Sequence, residues 1–227
     1  MSDLLPQDPD ELFDVVDERG QPTGVVKRRA DVHRDGDWHR AVHVWIVGLD
    51  ADEPFILFQR RSPGKDTWPG KLDATAAGHL RAGESVTDAM REVEEELGIV
   101  PDLDALRHIG TRFCVSDTMA KWIDREVLEI YLLRDDRSLR AYSPAVAEVA
   151  GLAHFALNPL LALFNGTGDH APATVLDAAT GTISMVDVPL DDFIPVTDDY
   201  FARVAQAARA TLRGDQDVLL EPGSSVK

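Results

Sequence analysis

The chain has 227 residues, 44% of them apolar and 28% charged, the composition of a folded protein with room for one sizeable core. A net charge of −17 argues against a general nucleic-acid binder, which needs a basic stripe to neutralise phosphates; any anionic substrate must be held by local cations. The single cysteine, Cys114, excludes an internal disulfide, and the acidic first residues show neither a basic leader nor a long apolar run, so no signal peptide and no membrane span are expected and the chain reads as cytoplasmic.

Residues 1–10, acidic and Pro-containing, read as a flexible lead-in; 11–212 reads as a single domain and 213–227 as a C-terminal tail. Phe13–Asp17 and Thr23–Lys27 flank the turn 18–22 as an N-terminal hairpin. Val42–Leu49 and Phe55–Gln59 are two β-type runs joined by the polar turn Asp50–Pro54. Leu72–Ala77 leads into a helix predicted over Asp88–Leu97. Ile109–Val115 and Val127–Leu133 read as a long hairpin around a loop at 116–126. Glu148–Leu163 begins like a strand and continues as an apolar helix broken by Pro159. An extra hairpin is expected near 174–188, and Thr197 or Asp198 caps a last helix, Tyr200 to about Leu212. Strands on both sides of a central helix, followed by further helices, imply a mixed sheet packed between helices.

Four segments could carry chemistry. In the predicted helix, Glu92, Glu95 and Glu96 fall at i, i+3 and i+4, which puts three carboxylates on one face. Such charges repel one another unless a cation sits among them, and a hard divalent ion is the natural occupant. The alternative, a solvated acidic face, is weakened by the turn Gly83-Glu84-Ser85, the apolar stripe Ala89, Val93 and Leu97, and the stop at Gly98. The second segment holds His33, His39 and His43, within eleven residues. His43 alternates into the strand and reads as a satisfied strand residue, whereas His33 and His39, with His79, could ligate a second metal such as zinc or manganese. Third, Arg60, Arg61 and Lys65 put positive charge on one loop, suited either to clamping a diphosphate or to solvent exposure. In the fourth, a period of two places Asp124 and Glu126 on one face and Glu129 on the other; an acid here could complete a metal shell or act as general base.

The stretch from Gly78 to Ile99 closely resembles the Nudix box: Gly, five residues, Glu84, a spacer, then Arg91-Glu92-Val93-Glu94-Glu95-Glu96-Leu97-Gly98-Ile99. The family spacer has seven residues where this chain has six, Ser85–Met90, which re-registers Gly78 and Glu84 against the glutamates. With its flanks the chain resembles the branch that holds type I isopentenyl-diphosphate isomerase and its hydrolase-like relatives. That resemblance implies the Nudix α/β/α sandwich with a mixed β-sheet, and carries the isomerase's metal ligands onto His33, His39, His79, Asp124 and Glu126. The isomerase's acid–base cysteine, just before the Gly-His pair, is replaced by Ala77, which cannot move a proton.

The resemblance therefore implies a metal-dependent hydrolase that cleaves a diphosphate linkage in a small organic or nucleoside substrate. Mg²⁺ (or Mn²⁺) would be held by Glu92, Glu95 and Glu96 with the Gly78 carbonyl, and a second metal could occupy the histidine cluster. Lys27, Arg61 and Lys65 would grip the diphosphate; Arg91, grouped with them, would chiefly orient the glutamates. Glu95 or Glu126 would activate water, and Glu96 completes the catalytic set. Two alternatives stand beside this reading: an isomerase-like enzyme with an altered acid–base pair, and a catalytically silent binding module, which the short spacer favours. The extra hairpin near 174–188 could line the substrate pocket or form a homodimer contact.

Overall fold

The computed structural model describes residues 8–65, 67–119, 122–196 and 198–220. Most of the expected lead-in, the end of the expected tail and Thr197 lie outside the described residues. In chain order the elements are β1 (Leu12–Val16), β2 (Pro22–Arg28), α1 (Arg29–Asp35), β3 (Trp38–Asp50), β4 (Glu53–Arg61), β5 (Leu72–Asp73), β6 (Ala76–His79), α2 (Val86–Ala89) and α3 (Arg91–Leu97). They continue with β7 (Leu106–Met119), β8 (Trp122–Arg134), β9 (Val149–Ala156), α4 (Leu157–Phe164), β10 (His170–Asp177), β11 (Ile183–Pro189) and α5 (Tyr200–Leu212).

β3 is the hub of one mixed sheet. It pairs antiparallel with β4 and β6 and parallel with β8, so His39 stands opposite Glu126, and His43 opposite both Ala77 and Ile130. β9, β10 and β11 extend the sheet beyond β4, and the hairpin expected near 174–188 forms this outer edge. Alternation along β3 then builds two cores. Ala41, Trp45 and Val47 meet α4 and α5 on one face; Val42, Val44 and Ile46 meet Ala89, Val93 and Leu97 of α2 and α3 on the other. Helices thus cover both faces, the sandwich expected.

Four local expectations are corrected, and one element, α1, is additional to those read from the sequence. A short helix, α1, carries His33, and Gly36 and Asp37 join it to β3, so that the His33 and His39 rings meet edge to face at 4.9 Å between centroids. The predicted helix over 88–97 is two helices meeting at Met90: α2 is closed by a reciprocal Ser85/Asp88 capping box, and the i→i+3 bonds Met90 N–H to Thr87 and Val93 N–H to Met90 tighten the junction. The short spacer is absorbed there. The region expected as a loop at 116–126 is largely strand, since β7 and β8 pair as far as Ser116↔Asp124 and Met119↔Trp122. Pro159 does not break its helix: it sits in the first turn of α4, where its missing N–H has no partner to lose. Asp198 does not cap α5; Asp199 holds that position, with no side-chain cap bond.

The first core is knit by aromatic rings around Phe58, whose centroid lies 4.9 Å from Trp45, 5.1 Å from Phe193, 5.5 Å from Phe155 and 5.6 Å from Phe201. Truncating a buried Phe removes both transfer free energy and packing. Phe58→Ala is expected to cost about 3–5 kcal/mol, a fall of about 6–20 °C in Tm for a chain of this size, read by thermal unfolding. A smaller change than 1 °C would show that this cluster is not a keystone of the core.

Candidate active site

β6 and α3 bring the carboxylates together. Glu96, 2% exposed, accepts hydrogen bonds from the Ala77 backbone N–H (3.0 Å) and Gln59 Nε2 (3.2 Å), and its other oxygen lies 3.7 Å from Lys65 Nζ. Glu92 lies over Gly78 so closely that a Cβ at position 78 would meet its carboxyl carbon at 2.2 Å; only glycine leaves room there. Burial, opposed by Arg91 and assisted by Glu95, pushes the Glu92 carboxyl up to about 7. Burial, opposed by Lys65 and assisted by Glu92, pushes Glu96 up to about 8. Glu95 is different: it is half-exposed and bonded to Arg91 at 3.1 Å.

Arg91 ties the box together. Its guanidinium donates to Glu84 (2.9 Å), Glu92, Glu95 and the His79 carbonyl. Glu84 thus keeps its place despite the short spacer, because the break at Met90 lets Arg91 reach back to it. Arg91's donors are directed at protein acceptors, which supports the orienting role.

Two of the three expected diphosphate cations stand here. Lys65 bonds Glu148 and faces Glu96, while Arg61 donates to Asp73 (3.1 Å) and the Thr67 carbonyl (2.9 Å). Lys27 stands elsewhere, bonded to Asp35 and Asp37 on the outer hairpin, because β2 turns it toward α1 and not toward the box. Sequence reasoning missed Glu148, whose charge raises both Glu92 and Glu96; its position before β9, distant in sequence from the box, offered no signal. It also missed Arg29, which donates to His79 Nδ1 at 2.9 Å and lies 3.9 Å from Glu11.

A second cluster lies on the first-core side of the sheet. His33 and His39, both fully buried, rest against Phe13, which stacks on His39 at 5.3 Å between centroids. His33 Nδ1–H donates to the Arg29 carbonyl (2.9 Å) and His39 Nδ1–H to the Asp37 carbonyl (3.2 Å), an assignment that follows from carbonyls being acceptors only. Both rings therefore direct an Nε2 lone pair toward Asp124 Oδ1, 3.5 Å from each. Among the described residues, His39 Nε2 and Asp124 Oδ1 have no hydrogen-bond partner. Burial depresses the His39 pKa, so the neutral ring stays a ligand and not a cation. Acceptors converging with no proton between them suit a metal ion, and Nδ1–H groups pinned to carbonyls are the usual support for imidazole ligands. The ligand atoms of His33, His39, His79 and Asp124 all lie within 4.8 Å of one another.

His79 is held in the opposite tautomer. Arg29 can only donate, so Nδ1 accepts and the proton sits on Nε2, which lies 3.2 Å from Glu126 Oε1. Burial and then the Arg29 charge keep its pKa well below the usual histidine value. To offer Nε2 to a metal, His79 must first lose Arg29. Glu129 points to the other face and accepts from Thr111 and His108, as the period of two requires.

Known proteins resemble this chain in sequence and fold. The profile of the NUDIX domain matches residues 37–174. The chain is 46% identical over 127 residues to Nudix hydrolase 3 of Arabidopsis thaliana, covering 55% of this chain but 16% of that protein. It is 32% identical over 201 residues to an uncharacterized Nudix hydrolase of Clostridium acetobutylicum, covering 87% of this chain and 97% of that one. An isopentenyl-diphosphate Delta-isomerase from Rhizobium rhizogenes is 37% identical over 93 residues, 40% of this chain and 43% of the other. Among solved structures, DR0079 from Deinococcus radiodurans superposes with a TM-score of 0.51 at 22% identity, covering 69% of this chain and 90% of that one.

The raised Glu96 value has a measurable consequence. A carboxyl whose folded pKa exceeds its unfolded one favours folding below about pH 4.5 and loses that contribution as pH rises toward 8. In metal-free buffer, Glu96→Gln is therefore expected to be more stable relative to the parent at pH 9 than at pH 6, by about 1–3 kcal/mol in urea unfolding. An unchanged difference between the two pH values would mean that the carboxyl is not desolvated.

Proposed function

The chain belongs to the NUDIX domain family and carries its pyrophosphohydrolase domain, and on that premise we propose that it is a Mg²⁺- or Mn²⁺-dependent hydrolase cleaving a diphosphate linkage in a small organic or nucleoside substrate. The observation that carries this reading is the corner where Glu92 closes on Gly78 and Glu96 on the Ala77 N–H beside Lys65, their pKa values raised to about 7 and about 8. Two desolvated carboxylates that close favour a cation between them. Glu92, Glu95 and Glu96, with the Gly78 carbonyl, would hold the ion, and Glu148 adds a further carboxylate at the same corner. When bound, the ion polarises a phosphoryl oxygen and acidifies water.

The chain's own residues do the positioning. Arg61 and Lys65 exchange their present partners, Asp73 and Glu148, for diphosphate oxygens, and Arg29 is placed to do the same from the histidine side. Glu95 or Glu126 takes the proton of the attacking water. His33, His39 and Asp124 would hold a second metal, which His79 and Glu126 join once Arg29 turns to the substrate.

Isomerisation is the less favoured chemistry because Ala77 stands where the isomerase has its thiol. Cys114 is the chain's only thiol; it faces Glu126 across β7 and β8, and burial pushes it up to about 12.

With Mg²⁺, the protein is expected to release phosphate from members of a panel of nucleoside, sugar-nucleotide and prenyl diphosphates, and Glu96→Gln to lower that turnover by about 10²-fold or more. Undiminished turnover in Glu96→Gln would remove the box from the mechanism, and dimethylallyl product from isopentenyl diphosphate without phosphate release would replace hydrolysis by isomerisation. His39→Gln is expected to weaken Mn²⁺ or Zn²⁺ binding about 10–100-fold in calorimetry; unchanged binding would place no metal at the histidines.

A further inference from the structure

His43 lies between the two halves of the site and has no part in either. It occupies the sheet face that carries His39 and Trp45 of β3, directly across from Ala77 of β6 and next to Ile130 of β8. The charges it senses are Asp73 and Arg61 on the diphosphate side, Glu126 on the histidine side and Arg112 on β7. Burial keeps its ring neutral at ordinary pH.

The hydrogen bonds around it set its tautomer. Trp45 Nε1–H can only donate, and it donates to Tyr200 Oη at 3.0 Å. The fully buried Tyr200 hydroxyl then has one proton to place, and its acceptor is His43 Nδ1, 3.0 Å away. Nδ1 is thus an acceptor, and the ring proton resides on Nε2. Among the described residues Nε2 makes no hydrogen bond, and it is not sealed away, since the residue is part-exposed. Tyr200 is itself fixed from outside: Arg112 lies over its ring at 4.5 Å and is clamped by both oxygens of Asp198, at 2.8 Å each, at the start of α5. The result is an oriented N–H donor directly across from Ala77, whose backbone N–H holds Glu96.

We propose that His43 is a substrate-contacting residue that presents its Nε2–H to an oxygen of the organic half, close to the diphosphate, and so selects an oxygenated diphosphate such as a nucleoside diphosphate over a prenyl diphosphate. A hydrocarbon in this position would strip water from the donor without replacing its bond, and sites built to hydrogen-bond a substrate reject analogues that lack the partner. Arg112 and Cys114 on the same face, bonded to each other at 3.0 Å, make the wall more polar still.

This inference rests on the diphosphate site proposed above. Binding of adenosine diphosphate, isopentenyl diphosphate and bare methylenediphosphonate is compared by calorimetry with Ca²⁺ present, for the parent chain, His43→Phe and His43→Gln, whose amide restores an N–H near Nε2. The expected result is adenosine diphosphate bound about tenfold or more tightly than isopentenyl diphosphate, a loss of about tenfold for adenosine diphosphate alone in His43→Phe, and recovery in His43→Gln. Isopentenyl diphosphate binding as tightly as adenosine diphosphate in the parent, or an equal loss for all three ligands in His43→Phe, would overturn the assignment. The two readings separate cleanly. Selective binding without phosphate release under Mg²⁺ sinks the hydrolase and keeps His43; phosphate release with a prenyl preference does the reverse.

Discussion

The Glu96 carboxylate is removed from water, and the region around it is arranged to make that tolerable. A buried carboxylate needs donors or a counter-charge. Here they come from three separate elements: a backbone N–H of β6, the Gln59 amide of β4 and the Lys65 ammonium on the following loop. β6 can provide that N–H only because Gly78 leaves space for Glu92 beside it. The mixed pairing of β3 matters for the same reason, since it fixes β6 on one side and brings β8, with Asp124 and Glu126, to the other.

The split helix shows how such a site tolerates a lost residue. Removing one position from a continuous helix rotates everything beyond it by roughly 100°, which would swing Arg91 and its glutamates away from Glu84. The chain avoids this by ending α2 at Ala89 and restarting α3 at Arg91, with 3₁₀-type bonds at the joint. Arg91 still bridges Glu84 to Glu92 and Glu95, so the electrostatic frame of the box survives a change that the spacing alone suggests would disturb it.

The histidine cluster carries a tension of a different kind. His33 and His39 are prepared as ligands by backbone carbonyls, whereas Arg29 holds His79 in the tautomer with its proton on Nε2, which has no hydrogen-bond partner among the described residues. Arg29 is a cation held between Glu11, the Phe13 ring and His79, beside a metal-type ligand set. A diphosphate that draws its guanidinium away would release Nδ1 and let His79 complete the set, which couples substrate binding to the second metal site.

Much of this was legible in the residues themselves. Local chemistry is short-range, so the Gly-Glu-Arg-Glu pattern, the Ser85 cap, the Gly98 stop and the period of two across Asp124, Glu126 and Glu129 could be read without a fold. The burial that separates Glu96 from Glu95 could not, because it depends on which face of a broken helix meets the sheet. Nor could the diversion of Lys27 to Asp35 and Asp37, the arrival of Arg29 and Glu148 at the site, or the conversion of His43 from an ordinary strand residue into an oriented donor, since each requires partners up to 157 positions away. Sequence by itself determined the kinds of groups and their local spacing; the tertiary structure alone decided their protonation, tautomer and partners, because these depend on solvent exclusion and on contacts between strands that chain order does not bring together.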